Sequence, residues 1–200
     1  MQPQKRHTEQ TAPIGIVLAA GQSKRYGSDK RQARLPGGQT LLQTTLSKAQ
    51  RHFTQLILVL GHNDKALDLN IPAAITIVHA PEAHTGLGTS IASAFQYLLD
   101  TQNDASTAAV LLGDMPWVQG DTVEQLKQNA RASTIVRPIH QGHAGHPVFF
   151  GNAFWTELSG LSGDDGAKSV VQRHREKCEF IQVDDEGVLK DVDRPGDLER

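Results

Sequence analysis

The chain has 200 residues, enough for one substantial core and within the usual span of a single domain. Apolar residues make up 38%, charged residues 21%, and the formal net charge is -2, so no global field draws the protein to nucleic acid or to an anionic membrane. The single cysteine, Cys178, excludes an internal disulfide and any multi-cysteine metal cluster, and it suits a reducing compartment.

The first residues, "MQPQKRHTEQTAP", are polar and hold no signal-peptide core, and no later stretch approaches the roughly 18 apolar residues of a membrane span. A disordered tail over 1–12, a single domain over 13–200 and a cytoplasmic location are therefore expected. Short apolar runs recur at Ile14–Ala19, Leu56–Leu60, Ile75–Val78 and Ala108–Leu112, each followed by a loop and a stretch of helical spacing. That rhythm predicts a parallel sheet. Leu41, Leu42, Thr45, Leu46 and Ala49 predict an amphipathic helix over 40–52 with Thr40 as N-cap, and Gly88–Leu99 and Thr122–Ala130 predict two more. After residue 133 the rhythm changes. Ile135–Val136 and Val148–Phe150 read as two strands around a long functional loop, in which His140 and His143 are expected to be exposed to solvent. "DDGAKSVVQRH" reads as a capped helix, "CEFIQV" and "VLKDVD" as strands, and the residues after Pro195 as a short terminal helix. Cys178 is expected to be a structural residue near a strand. The predicted sheet is mixed, parallel at first and partly antiparallel later.

The chemistry concentrates at strand ends. "LAAGQSKRYGSDK" follows the first apolar run and combines glycines, which free the backbone to turn and to present N–H groups, with cations that complete an anion site. The segment matches neither a Walker loop nor a G-x-G-x-x-G fingerprint, and alone it reads equally as a flexible basic surface loop. In "VLLGDMPWV" an apolar strand runs into Gly113 and Asp114. In a parallel sheet that carboxylate shares the ligand-binding edge with the first loop, where it would suit magnesium and a triphosphate. Asp114 alone would read as a helix cap. "DVDRPGDL" offers a further carboxylate, Asp193, and "HAGHPVFF" places Gly145 and His146 at a loop-strand junction.

Taken in order, these segments resemble the molybdenum cofactor nucleotidyltransferases over nearly the whole chain, and most closely the cytidylyltransferase branch. "LAAGQSKRYGSDK" is similar to the family's nucleotide loop, "HTGLGTSIASA" to its Q-G-L-x-x-S-type segment, "GDMP" to its metal motif, "GHP" to its cofactor-side motif and "DVDRPGDL" to its closing aspartate motif. Thr85 stands where the family usually has Gln, and Lys30 lies farther from Leu35 and Pro36 than in the family. The resemblance implies a Rossmann-like, three-layer (GT-A-like) α/β nucleotidyltransferase fold with a mostly parallel, mixed sheet. It implies a reaction in which the terminal phosphate of molybdopterin attacks the α-phosphorus of CTP, releasing pyrophosphate, with an apo-molybdoenzyme as recipient and no nucleic acid or membrane as partner.

Residue by residue, the resemblance gives Gly21, Gln22 and Ser23 as the phosphate cradle, and Arg25 and Lys30 as neutralising cations. It sets Ala19 and Ala20 under the base, with Leu18, Gly86, Ser90 and Gly113 lining the nucleotide cleft. Asp114 and Asp193 would hold Mg2+, and Gly145 and His146 would face the pterin. Arg25, Lys30 and Asp114 would carry the chemistry. Relatives that use GTP carry glycine where this chain has Ala20, which favours CTP. The rivals are a GTP-using guanylyltransferase, a sugar-phosphate nucleotidyltransferase, whose usual pattern lacks "GHP", and a protein that delivers the cofactor without chemistry.

Overall fold

The computed structural model describes residues 11–23 and 25–199. The expected disordered tail lies outside the described residues as far as residue 10. Thr11, by contrast, is tied to the domain: its hydroxyl accepts from the Ser106 N–H at 2.9 Å and donates to the Asp104 carbonyl at 3.2 Å.

The first half alternates strand and helix. Strands β1 (Ile14–Leu18), β2 (Leu56–Gly61), β3 (Thr76–Ala80) and β4 (Thr107–Leu112) are separated by α1 (Leu41–Ala49) and α2 (Leu87–Asp100), and α3 (Gly120–Asn129) follows β4. β1 lies parallel between β2 and β4, and β3 pairs parallel with the outer edge of β2. The chain thus builds outward on one side of β1 and returns to the other, so the carboxyl ends of β1 and β4 flank the topological switch point where α/β folds bind ligands. α1 forms for the expected reason. Thr40 accepts from the Gln43 N–H, and Gln43 reaches back to the Thr40 N–H, a capping box that satisfies two orphan donors.

The second half inverts direction. β5 (Ile135–His140), β6 (His143–Ala144), β7 (Val148–Gly151), α4 (Trp155–Ser159), α5 (Lys168–Arg173) and β8 (Cys178–Gln182) follow. β7 pairs antiparallel with β4 and with β5, and β8 runs parallel along β5 from Ile135 to Ile139. The result is the expected mixed, mostly parallel sheet in a three-layer α/β fold. α1 and α3 cover one face, where Leu42, Leu46, Val123 and Leu126 pack on Val17, Leu58 and Phe149. α2, α4 and α5 cover the other, around Phe95, whose ring meets Phe150 edge-on and lies 6.0 Å from Trp155.

Four expectations are corrected. "VLKDVD" is not a strand. Buried Asp185 accepts from the Gly187 and Gln119 N–H groups and from the Thr122 hydroxyl, which turns Glu186–Leu189 into a 3-10 helix. The long loop between Ile135 and Val148 is mostly strand: β5 continues to His140, and Gln141 and Gly142, both at positive φ, close a tight hairpin onto β6. His140 is consequently buried, its Nδ1 3.0 Å from the Val183 carbonyl, whereas His143 is exposed as expected. α5 has no side-chain cap; the Lys168 N–H donates instead to the Asp165 carbonyl.

Candidate active site

Beyond the carboxyl ends of β1 and β4 lies a cleft of about 480 Å³. Every residue expected to bind the nucleotide lines it: Leu18 to Ser23, Arg25, Lys30, Gly86, Ser90 and Gly113, together with Asp114 and Asp193. The backbone N–H groups of Ala20, Gly21 and Gln22 donate to no other described residue, so the strand end presents a row of free donors. Opposite, α2 begins at Gly86, whose φ of +141° is open only to glycine; an added Cβ there would lie 2.3 Å from the Gly163 carbonyl. The Gly88 N–H donates to that same carbonyl at 2.8 Å, which seals one wall and brings Asp164 to the cleft.

The floor is made by charges. Lys30 Nζ donates to Asp114 Oδ2 at 2.7 Å and to the Val192 carbonyl at 2.9 Å, and lies 3.5 Å from Asp193 Oδ1. Arg25 Nη1 reaches Asp193 Oδ2 at 2.5 Å from an exposed position. Two backbone bonds explain how residues so far apart meet. The Gly113 N–H donates to Leu18 O, and the Val192 N–H donates to Asp114 O, so the closing segment is stitched onto the end of β4. Lost hydration, and then the charges on Asp114 and Asp193, push the nearby Asp191 carboxyl up from its ordinary value.

The paired oxygens of Asp114 and Asp193 already enclose one positive charge, so this hard donor set suits a divalent cation. Among the described residues no group of three or more His, Cys, Asp or Glu side chains is placed to hold a metal. A cation here would therefore complete its shell with ligand oxygens.

Neither Arg31 nor Asp64 is among the expected site residues. Arg31 donates from Nε and Nη2 to Asp29 (2.8 and 2.9 Å), from Nη1 and Nη2 to Asp64 (2.5 and 2.9 Å), and from Nη1 to the Ala19 carbonyl at 3.0 Å. Burial alone would lower the guanidinium pKa, but the bonds from Asp64 and Asp29 outweigh it and hold the group above its ordinary value. Both carboxyls are held below theirs: burial opposes this, and the Arg31 bonds and charge prevail. Asp191 was quoted at the sequence level without a role, and its D-x-D spacing to Asp193 was the available signal.

Gly145 and His146 lie outside this cleft. Gly145 is buried under the Val188 backbone, where an added Cβ would meet the carbonyl at 2.3 Å, so its lack of a side chain serves packing. His146 lines a second cavity of about 360 Å³ between α1 and α3, behind the Leu112–Met115 turn. Burial, and then the Arg137 charge, bring its imidazole down to about 4, so it is neutral at pH 7. No helix of the described residues is long and apolar enough to cross a membrane.

Comparison with known proteins gives the same picture. Residues 15–178 match the family described as the MobA-like NTP transferase domain. Purine catabolism protein PucB of Bacillus subtilis (strain 168) is 28% identical over 198 residues, covering 91% of this chain and 92% of that protein. The molybdenum cofactor cytidylyltransferase of Escherichia coli (strain K12) is 31% identical over 135 residues, 66% of this chain and 67% of that one. Among solved structures, the Mycobacterium sp. strain JC1 homologue of Mycobacterium tuberculosis Rv0371c is 33% identical, with 94% of each chain covered and a TM-score of 0.81. Rv0371c of Mycobacterium tuberculosis, solved in complex with manganese, is 26% identical, with 86% of this chain and 88% of that one covered and a TM-score of 0.69.

Proposed function

The chain belongs to the MobA-like NTP transferase family, and from that premise we propose that it transfers CMP from CTP to the terminal phosphate of molybdopterin, releasing pyrophosphate. The observation that carries this reading is a single cleft in which the free N–H groups of Ala20 to Gln22, the cations Arg25 and Lys30, and the carboxylates Asp114 and Asp193 converge. Displacement at phosphorus needs positioning and charge neutralisation rather than a covalent partner, and these groups supply both. The 31% identity to a molybdenum cofactor cytidylyltransferase supports the substrate pair. The methyl of Ala20, which narrows the base site relative to glycine, supports a pyrimidine.

In this reading Ala19 and Ala20 lie against the base, Gly21 to Ser23 cradle the phosphates, and Gly86, Ser90 and Gly113 form the walls. Asp114 and Asp193 would hold Mg2+, which when bound neutralises triphosphate charge; that Rv0371c is solved in complex with manganese supports the use of a divalent cation. Lys30, which bridges the two carboxylates, and exposed Arg25, which pairs with Asp193, would neutralise the triphosphate and the leaving pyrophosphate. His146, which lines the second cavity, would face the acceptor, whereas buried Gly145 keeps its packing role.

The test is pyrophosphate release with molybdopterin as acceptor, comparing kcat/KM for CTP, GTP, ATP and UTP. CTP is expected to lead. Because a one-carbon change in a pocket is worth about 1–3 kcal/mol, Ala20→Gly should relax the preference over GTP without inverting it. A lead for GTP would replace the cytidylyl by a guanylyl assignment, and no turnover with any of the four would overturn the acceptor.

A further inference from the structure

Buried polar atoms in folded proteins are nearly always hydrogen-bonded, so the exceptions mark places where something else is meant to bind. Among the described residues three buried side-chain nitrogen or oxygen atoms have no partner: Ser106 Oγ, Arg137 Nε and His146 Nδ1. Two of them stand together. Arg137 Nη2 makes one long contact, 3.4 Å, to the carbonyl of Gly145, the residue before His146, and the Arg137 charge acts directly on the His146 ring.

The comparison with Arg31 shows what is unusual. Both side chains are partly buried, yet Arg31 has two carboxylates and a carbonyl, whereas Arg137 has no carboxylate partner among the described residues. Leaving a guanidinium half buried and unpaired costs stability, and such a cost persists where a ligand removes it. Nη1 of Arg137 makes no hydrogen bond to a described residue and is not among the buried unpartnered atoms, so it keeps accessible surface. Strand order sets the geometry: Asp114 ends β4, His146 precedes β7, and Arg137 lies on β5 beyond it.

We propose that Arg137, with His146 beside it, forms the subsite for an oxyanion of the acceptor, a phosphate monoester, on the β7–β5 side of Asp114. Arg137 donates to the phosphate oxygens from its free N–H groups. The inference rests on the acceptor reading above, and its closing experiment does not need turnover.

Inorganic phosphate is titrated by calorimetry and by thermal melting into the wild type, R137M, R137K and K30A, with melting of the unliganded proteins measured alongside. The unliganded R137M protein should melt at or above the wild type, because an unpaired buried charge has been removed. The phosphate binding that survives in K30A should weaken about 10–100-fold in R137M, the factor expected for a lost charge-assisted bond, and recover in part in R137K. With molybdopterin, R137M should raise KM for the acceptor by the same factor while KM for CTP holds, and K30A should do the reverse. R137M melting below the wild type with phosphate binding unchanged would overturn the proposal and leave Arg137 a packing residue. Arg137-dependent phosphate binding in a protein inactive on molybdopterin would uphold the anion subsite and overturn only the identity of the acceptor.

Discussion

Arg31 lines the cleft yet has no donor left for a ligand: all its N–H groups are taken by Asp29, Asp64 and the Ala19 carbonyl. It acts as a brace that fixes Ala19 and the neighbouring Lys30, which in the proposed reaction leaves triphosphate charge to Lys30 and Arg25. The brace has a pH signature. Asp29 and Asp64 are held below their ordinary value of 3.8 in the folded state, so their contribution is full above that value and is lost as pH falls through the lowered ones. R31M should therefore cost about 1–3 kcal/mol at pH 7, a buried-pair value discounted for solvent screening, and much less near pH 3. Urea unfolding at both pH values measures this, and an equal gap at each would rule out the ion pairs as its source. Asp114 makes a different prediction because it stands past the end of β4, outside the packed core. D114N should lower magnesium-dependent turnover at least tenfold with circular dichroism unchanged, and D193N less, since an amide oxygen still ligates magnesium. Turnover near wild type in D114N would remove that carboxylate from the metal role.

At the scale of elements, the site depends on helix starts and strand ends held by close backbone approach. α2 opens at Gly86 against Gly163, and neither a methyl group nor an L-residue's preferred φ fits there. G86A should displace the Gly163–Asp164 wall, cost about 3 kcal/mol or more, and weaken nucleotide binding in parallel. Unfolding within about 1 kcal/mol of the wild type would mean that the wall yields freely. Element boundaries were legible wherever a local pattern decided them. The Thr40–Gln43 box starts α1 as its residues require, and β1, β2 and β4 coincide closely with their apolar runs. They were not legible where a distant partner decided. β5 runs to His140 because β8 pairs Ile135–Ile139 and β6 pairs its last two residues, and the segment after Val183 turns because Asp185 is captured by Gln119 and Thr122.

For the molecule as a whole, the cleft joins residues 18–23, 25–26, 30–31, 86–87, 90, 113–114, 164 and 193, segments that are connected only through the fold. A nucleotide that bridges them stabilises the native state by mass action. CTP with Mg2+ at about a hundred times Kd should add about 2.7 kcal/mol, a rise in melting temperature on the order of 5–10 °C. Differential scanning fluorimetry reads it, and no shift at saturating CTP would remove the nucleotide from this cleft. The sequence by itself determined the alternating strand-helix plan, the glycine- and cation-bearing loop after β1 and the Gly-Asp pair after β4. Each is a contiguous pattern whose physics is local: apolar runs that pair as strands, glycines that free a turn, and a carboxylate set at a strand's end. Only the tertiary structure decided that Lys30 bridges Asp114 and Asp193, that Arg31 is locked to Asp64, that Gly145 serves packing, and that Arg137 and His146 stand together without partners. Those outcomes depend on which strands become neighbours and on which charges meet across 30 to 160 residues of chain, a separation at which spacing in the sequence carries no information about contact.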